Sequence, residues 1–110
     1  MSTVLIRDKV NKDNLNQAKK DYGDYIKLVV DIKTKLMTIG GEWHADGEKL
    51  LIADGSRQSD LWGGGINLKN NKIDYTALIN IRGQTNPSHV IMDVKIREEF
   101  DKIIQEKLDL

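Results

Sequence analysis

Apolar and polar residues alternate most cleanly over residues 25–33. Ile26, Leu28, Val30 and Ile32 fall on one side, Lys27, Asp31 and Lys33 on the other, and Val29 is the one apolar residue on the second side. A period of two predicts a strand in a sheet with one buried face. Residues 3–6 are short and β-rich and predict an edge strand. Between them, Asn11 is placed to cap a helix over residues 12–22. Val10 and Leu15 stand at hydrophobic-staple spacing, and Leu15, Ala18 and Tyr22 share a face. Gly23 follows where a left-handed capping residue belongs.

After a loop around Thr34 and Lys35, residues 36–39 resume strand composition and lead into Ile39-Gly40-Gly41-Glu42-Trp43-His44-Ala45-Asp46. If the strand continues, Thr38, Gly40, Glu42, His44 and Asp46 share one face and Met37, Ile39, Gly41, Trp43 and Ala45 the other. The glycine pair marks a bulge or a close approach by another backbone or a ligand. Residues 47–53 fit a short helix capped by Asp46 and stopped at Gly55, or a strand over 49–53; a short apolar run does not separate the two. Residues 56–60 read as a capped turn. Gly63-Gly64-Gly65 reads as the most flexible point of the chain.

Residues 66–68 and 73–81 predict a second hairpin around Asn70 and Asn71. Residues 82–92 form a loop holding the only proline, Pro87. Asp93 caps a final helix whose apolar stripe is Ile96, Phe100, Ile103, Ile104 and Leu108, with Glu98 four residues before Lys102. The order β-α-β-β-(α)-β-β-α predicts one α+β domain over residues 1–110. Its antiparallel sheet has about four to five strands, with two to three helices packed on one face.

Charge narrows the functional classes. Lys and Arg number 17, Asp and Glu number 17, and the formal net charge is zero. Nucleic-acid domains draw most of their affinity from phosphate neutralisation, so nucleic acid is not the expected partner and a ribonuclease-like toxin is disfavoured. With no cysteine, disulfides, thiolate zinc sites and cysteine nucleophiles are all excluded. No apolar run is long enough to span a membrane. The start lacks the pattern of a signal peptide, which makes cytoplasmic the simplest location. Exposed edge strands make a homodimer plausible.

The central stretch resembles a small prokaryotic family known only as a domain of unknown function. Its motifs here are Gly40-Gly41-Glu42-Trp43-His44-Ala45-Asp46 and Asp60-Leu61-Trp62-Gly63, supported by Asp54-Gly55-Ser56, Gln58, residues 78–82 and Ile96-Arg97. The resemblance runs from Val4 to the last helix. Ser59 departs from the acidic residue that would complete a capping box. The resemblance implies a compact stand-alone protein and no particular reaction.

Glu42, His44 and Asp46 are the candidate catalytic residues. On a regular strand, positions four apart are separated by ~13 Å, so the three together do not hold one metal ion, although two of them could share one if the glycines bend the strand; neither a metal nor any other cofactor is expected. His44 beside a carboxylate could act as a general base. Ser56 is the nearest hydroxyl, but no nucleophile elbow surrounds it, and capping is its expected role. His89 reads as a loop polar group. Arg82 ends a strand beside Asn80 and suits capture of a carboxylate or phosphate, or an internal ion pair with Asp46 or Asp60. Trp62 either stacks on a ligand or plugs the core. No complete nucleophile-base-orienter set is visible. The favoured expectation is therefore a binding module for a small polar or anionic ligand, or for a protein partner. Its expected pocket combines the Glu42-His44-Asp46 face with Ser56, Asp60, Trp62, Asn80 and Arg82. The alternative is a small hydrolase or lyase using His44 with Glu42 or Asp46, with or without a metal.

Overall fold

The strands run in the spatial order β1-β3-β2-β4-β5, every neighbouring pair antiparallel. In chain order, β1 is Val4–Ile6, α1 is Lys12–Tyr22, β2 is Tyr25–Asp31 and β3 is Met37–Ile39. They are followed by α2, His44–Ala53; β4, Leu61–Asn67; β5, Lys72–Asp74; and α3, Val94–Leu108. Two 3-10 turns, Gln58–Asp60 and Leu78–Asn80, flank β4 and follow β5. These elements belong to a computed structural model in which residues 2–110 are described. The α+β class, the five-stranded antiparallel sheet and the edge position of β1 agree with the sequence pattern. No helix among the described residues is long and apolar enough to cross a membrane.

Local signals set α1 and α3. Asn11 and Asn14 exchange side-chain-to-backbone bonds of 2.8 and 3.0 Å, a reciprocal capping box. The Asp93 side chain accepts from Lys95 N–H at 2.8 Å. Gly23 ends α1 with φ +64°, but its ψ of −120° places it outside the left-handed helical cap that the pattern predicted. The remaining helix, α2, is longer than expected. It starts at His44, after Trp43, whose side chain makes no capping bond, so Asp46 lies inside the first turn and is not the cap. The alternative strand over residues 49–53 is likewise absent.

Helices cover both faces of the sheet, not one. Leu28, Val30, Met37, Ile39, Trp62 and Ile66 pack with Ala18 of α1 and with Phe100, Ile103 and Ile104 of α3. Each such buried apolar side chain stabilises the fold by about 1.5–3 kcal/mol. On the opposite face Val29 and Leu61 pack with Leu51 of α2, with Leu5, Leu36 and Ile79 half-buried around them. Asp31 also lies on that second face and is fully buried. Alternation in β2 therefore marks two unequal buried layers, and the second uses too few apolar residues to stand out in sequence.

Two further expectations change. β3 stops at Ile39 because Gly40 and Gly41 take φ of +84° and +98°, a backbone that turns the chain out of the sheet and into α2. The triple glycine is not a flexible point: Gly63, Gly64 and Gly65 lie inside β4, all buried and paired with Val29, Leu28 and Lys27 of β2. The strand expected over residues 73–81 is only β5. Beyond it the chain bridges Thr76 to Val90 and then enters the second 3-10 turn.

Candidate functional site

The glycine turn at Gly40-Gly41 separates the residues that sequence spacing grouped. Glu42 is exposed, and its backbone C=O accepts from Tyr22 Oη at 3.2 Å and from Lys27 Nζ. Glu42 and Asp46 line a cleft of about 230 Å³ with Ser2, Thr3, Asp21 and Gly41. Asp21 there accepts from Gly41 N–H at 2.8 Å and from the Ser2 hydroxyl. His44 turns the other way, over β4, where Nε2 lies 2.7 Å from Gly64 C=O. A carbonyl only accepts, so Nε2 carries the proton and Nδ1 is the unprotonated nitrogen of the neutral ring. Burial pushes the His44 pKa below its ordinary 6.5, against the upward pull of the Gly64 bond; Lys27 lowers it further and Asp74 raises it. Among the described residues, no group of three His, Asp or Glu side chains is placed to hold a metal ion.

Ser56 and Asn80 have structural partners. The Ser56 hydroxyl donates to Asp31 Oδ2 at 2.6 Å and caps no helix. Asp31 Oδ1 accepts from Lys33 and Thr34 N–H, at 2.9 and 3.0 Å, closing the loop between β2 and β3. Burial opposes ionisation of Asp31, yet the bonds from Ser56, Thr34 and Lys33 outweigh it and hold the carboxyl below its usual range. Asn80 is fully buried. Its Oδ1 accepts from Gly63 N–H at 2.8 Å, and its Nδ2 donates to the carbonyls of Gly63, Tyr75 and His89 at 2.9–3.1 Å. Asp60 contributes backbone: its C=O accepts from Ile32 N–H at 3.1 Å.

Trp62 and Arg82 do come together. The Arg82 guanidinium carbon lies 3.8 Å from the centre of the Trp62 ring. Its Nη1 donates to Ser59 C=O at 2.8 Å and its Nη2 to Leu61 C=O. Asp60 was one expected ion-pair partner and Asp46 the other; neither forms that pair, and among the described residues no carboxylate reaches Arg82 within salt-bridge distance. Burial lowers the Arg82 pKa, while the fields of Glu48 and Asp60 raise it; arginine nonetheless stays charged at neutral pH. Both residues line a cleft of about 510 Å³ whose walls include Ile32, Ile81 and Ile96 and whose polar groups include Gln58, Ser59 and Thr85. Trp62 is only 3% exposed, and its indole Nε1 and the Arg82 Nε are buried donors without a hydrogen-bond partner.

Register places this cleft away from His44. Trp62 pairs with Val30 and shares the α3 side of the sheet, whereas Gly63, which pairs with Val29, faces His44. Arg82 and His44 thus stand on opposite sides of the sheet, and the single pocket expected from sequence does not exist. Ile32, Ile81 and Ile96 were legible only as strand and helix residues; nothing in their local pattern marks them as walls of a cleft.

Residues 4–107 match the family described as "Protein of unknown function (DUF5674)". The chain belongs to this family. No curated protein and no solved structure matches it. The DUF5674 match spans both the glycine turn before α2 and the Trp62–Arg82 cleft, and it brings no activity with it.

Proposed function

We propose that this DUF5674 chain is a binding domain for a small anionic ligand, held at the Trp62–Arg82 cleft. One observation carries the reading: a guanidinium with no carboxylate partner lies over a buried indole whose own N–H is unsatisfied. Buried donors without partners are uncommon in folded proteins, and an unpaired one costs roughly 1–3 kcal/mol. An anion accepting from both would recover that cost. The cleft volume of about 510 Å³ falls within the range typical of small-ligand pockets. His44 lies across the sheet, so it takes no part in this site.

Trp43 is 64% exposed and is the other of the two tryptophans in the sequence, so Trp43→Phe leaves Trp62 as the sole indole. Titration of that variant with sodium hexanoate and with inorganic phosphate should give a saturable change in Trp62 emission for at least one of them. Arg82→Gln should abolish the response with the far-ultraviolet circular dichroism unchanged. Silence toward both anions at millimolar concentration would remove the proposal.

A further inference from the structure

We infer that the ligand of the Trp62–Arg82 cleft is a monocarboxylate carrying an apolar tail, an inference that rests on the reading above. The donor inventory decides the head group. Arg82 engages one N–H of Nη1 with Ser59 C=O and one of Nη2 with Leu61 C=O, while its Nε and the Trp62 Nε1 are the two buried nitrogens with no hydrogen-bond partner. Two unsatisfied donors match in number the two oxygens of one carboxylate. A phosphate dianion presents more charge than the single guanidinium can match.

The charge count agrees. Arg82 is the one cationic side chain lining the cleft among the described residues. Glu48 and Asp60 act on it from nearby as negative charges. A second negative charge on the ligand would therefore face repulsion with no compensating cation, whereas a single charge is matched.

The walls decide the tail. Ile32, Ile81 and Ile96 line the cleft beside the Trp62 ring, and Ile81 is 48% exposed at its lip. An alkyl or aryl group laid along them removes apolar surface from water, at roughly 25 cal/mol per Å². Both nitrogens are covered in the fold described here, so binding requires the side chains over them to move while Nη1 and Nη2 stay on the Ser59 and Leu61 carbonyls.

The test follows the Trp62 indole N–H in ¹⁵N-labelled protein, identified as the indole signal that survives Trp43→Phe. Sodium hexanoate should shift it saturably. Hexanamide, equal in shape and uncharged, should bind about tenfold more weakly or worse. Ile81→Ser, a change at the exposed lip, should weaken hexanoate while leaving the weaker binding of acetate unchanged. Equal binding of hexanoate and hexanamide would overturn the role given to the charge. Saturation by inorganic phosphate with hexanoate silent would overturn the monocarboxylate and leave the anion-binding reading standing. No shift with either anion would overturn both.

Discussion

Asn80 pairs with Gly63 as a strand residue would. Gly63 N–H donates to Asn80 Oδ1 at 2.8 Å and Asn80 Nδ2 donates back to Gly63 C=O at 2.9 Å. β5 has ended at Asp74, opposite Gly65, so the outer edge of β4 at Gly63 has no backbone partner there. A side-chain amide supplies the donor and acceptor that β5 no longer can.

Replacing that amide exposes the dependence. Asn80→Ala strands Gly63 N–H and C=O and removes the donor to Tyr75 and His89 carbonyls. The expected loss is about 3 kcal/mol, since each buried group left unpaired costs roughly 1–3 kcal/mol. Urea unfolding monitored by circular dichroism measures it; a loss under about 1 kcal/mol would mean that water or a shifted loop replaces the amide.

The glycines of β4 should tolerate no methyl group. A Cβ at Gly64 would collide with the Asp74 carbonyl oxygen and stand 2.8 Å from Phe100 Cζ. Backbone on one side and a fully buried ring on the other leave little room to yield, so Gly64→Ala should destabilise by about 2 kcal/mol or more. Gly83→Ala meets no atom within 4 Å, and its strain at φ +51° should cost only about 1 kcal/mol. Parallel denaturation curves for the two variants check the ordering.

His44 should make the fold sensitive to mild acid. Burial holds its folded pKa below the ordinary 6.5, so as pH falls the unfolded chain binds the proton first. Stability is intact above that value and declines as pH drops through it toward the folded pKa. His44→Gln should flatten the slope that sets in below about pH 6.5. An NMR titration that placed the His44 pKa above 6.5 would reverse the sign and refute the prediction.

Asp31 should govern a second, more acidic step. Its carboxyl is held below the ordinary 3.8 by the bonds from Ser56, Thr34 and Lys33, against the effect of burial. Its contribution is present above that value and lost as pH falls through the lower folded pKa. Ser56→Ala removes one of these bonds and should cost about 1–3 kcal/mol at pH 7. It should also move the folded Asp31 pKa upward, read from carboxyl carbon shifts.

Much of the backbone plan was legible because its causes are local. Asn11 and Asp93 bond to residues three and two positions along the chain. The stripe of Phe100, Ile103 and Ile104 reports the turn of α3, and the alternation in β2 reports its pleat. The glycine pair at Gly40-Gly41 marks a disturbance, yet spacing alone does not distinguish a bulge within a strand from the turn that ends β3. That difference separated His44 from Glu42 and Asp46.

The candidate site was legible only in its members. Trp62 and Arg82 both stood out as residue types suited to ligands, but so did Ser56 and Asn80, whose polar atoms are taken up by Asp31 and by the edge of β4. Whether a polar side chain is free or occupied depends on what the fold brings opposite it, and those partners are remote in sequence.

The sequence by itself determined the α+β class, the two capped helices, the central strand β2 and the balance of charge, because periodicity and capping act between neighbouring residues. Only the tertiary structure decided that helices cover both faces of the sheet and that the three glycines of β4 form its most crowded point. It alone set His44 and Arg82 on opposite sides and stacked Arg82 on Trp62. Those outcomes arise from strand register and from steric fit between distant segments, which no short stretch of chain encodes.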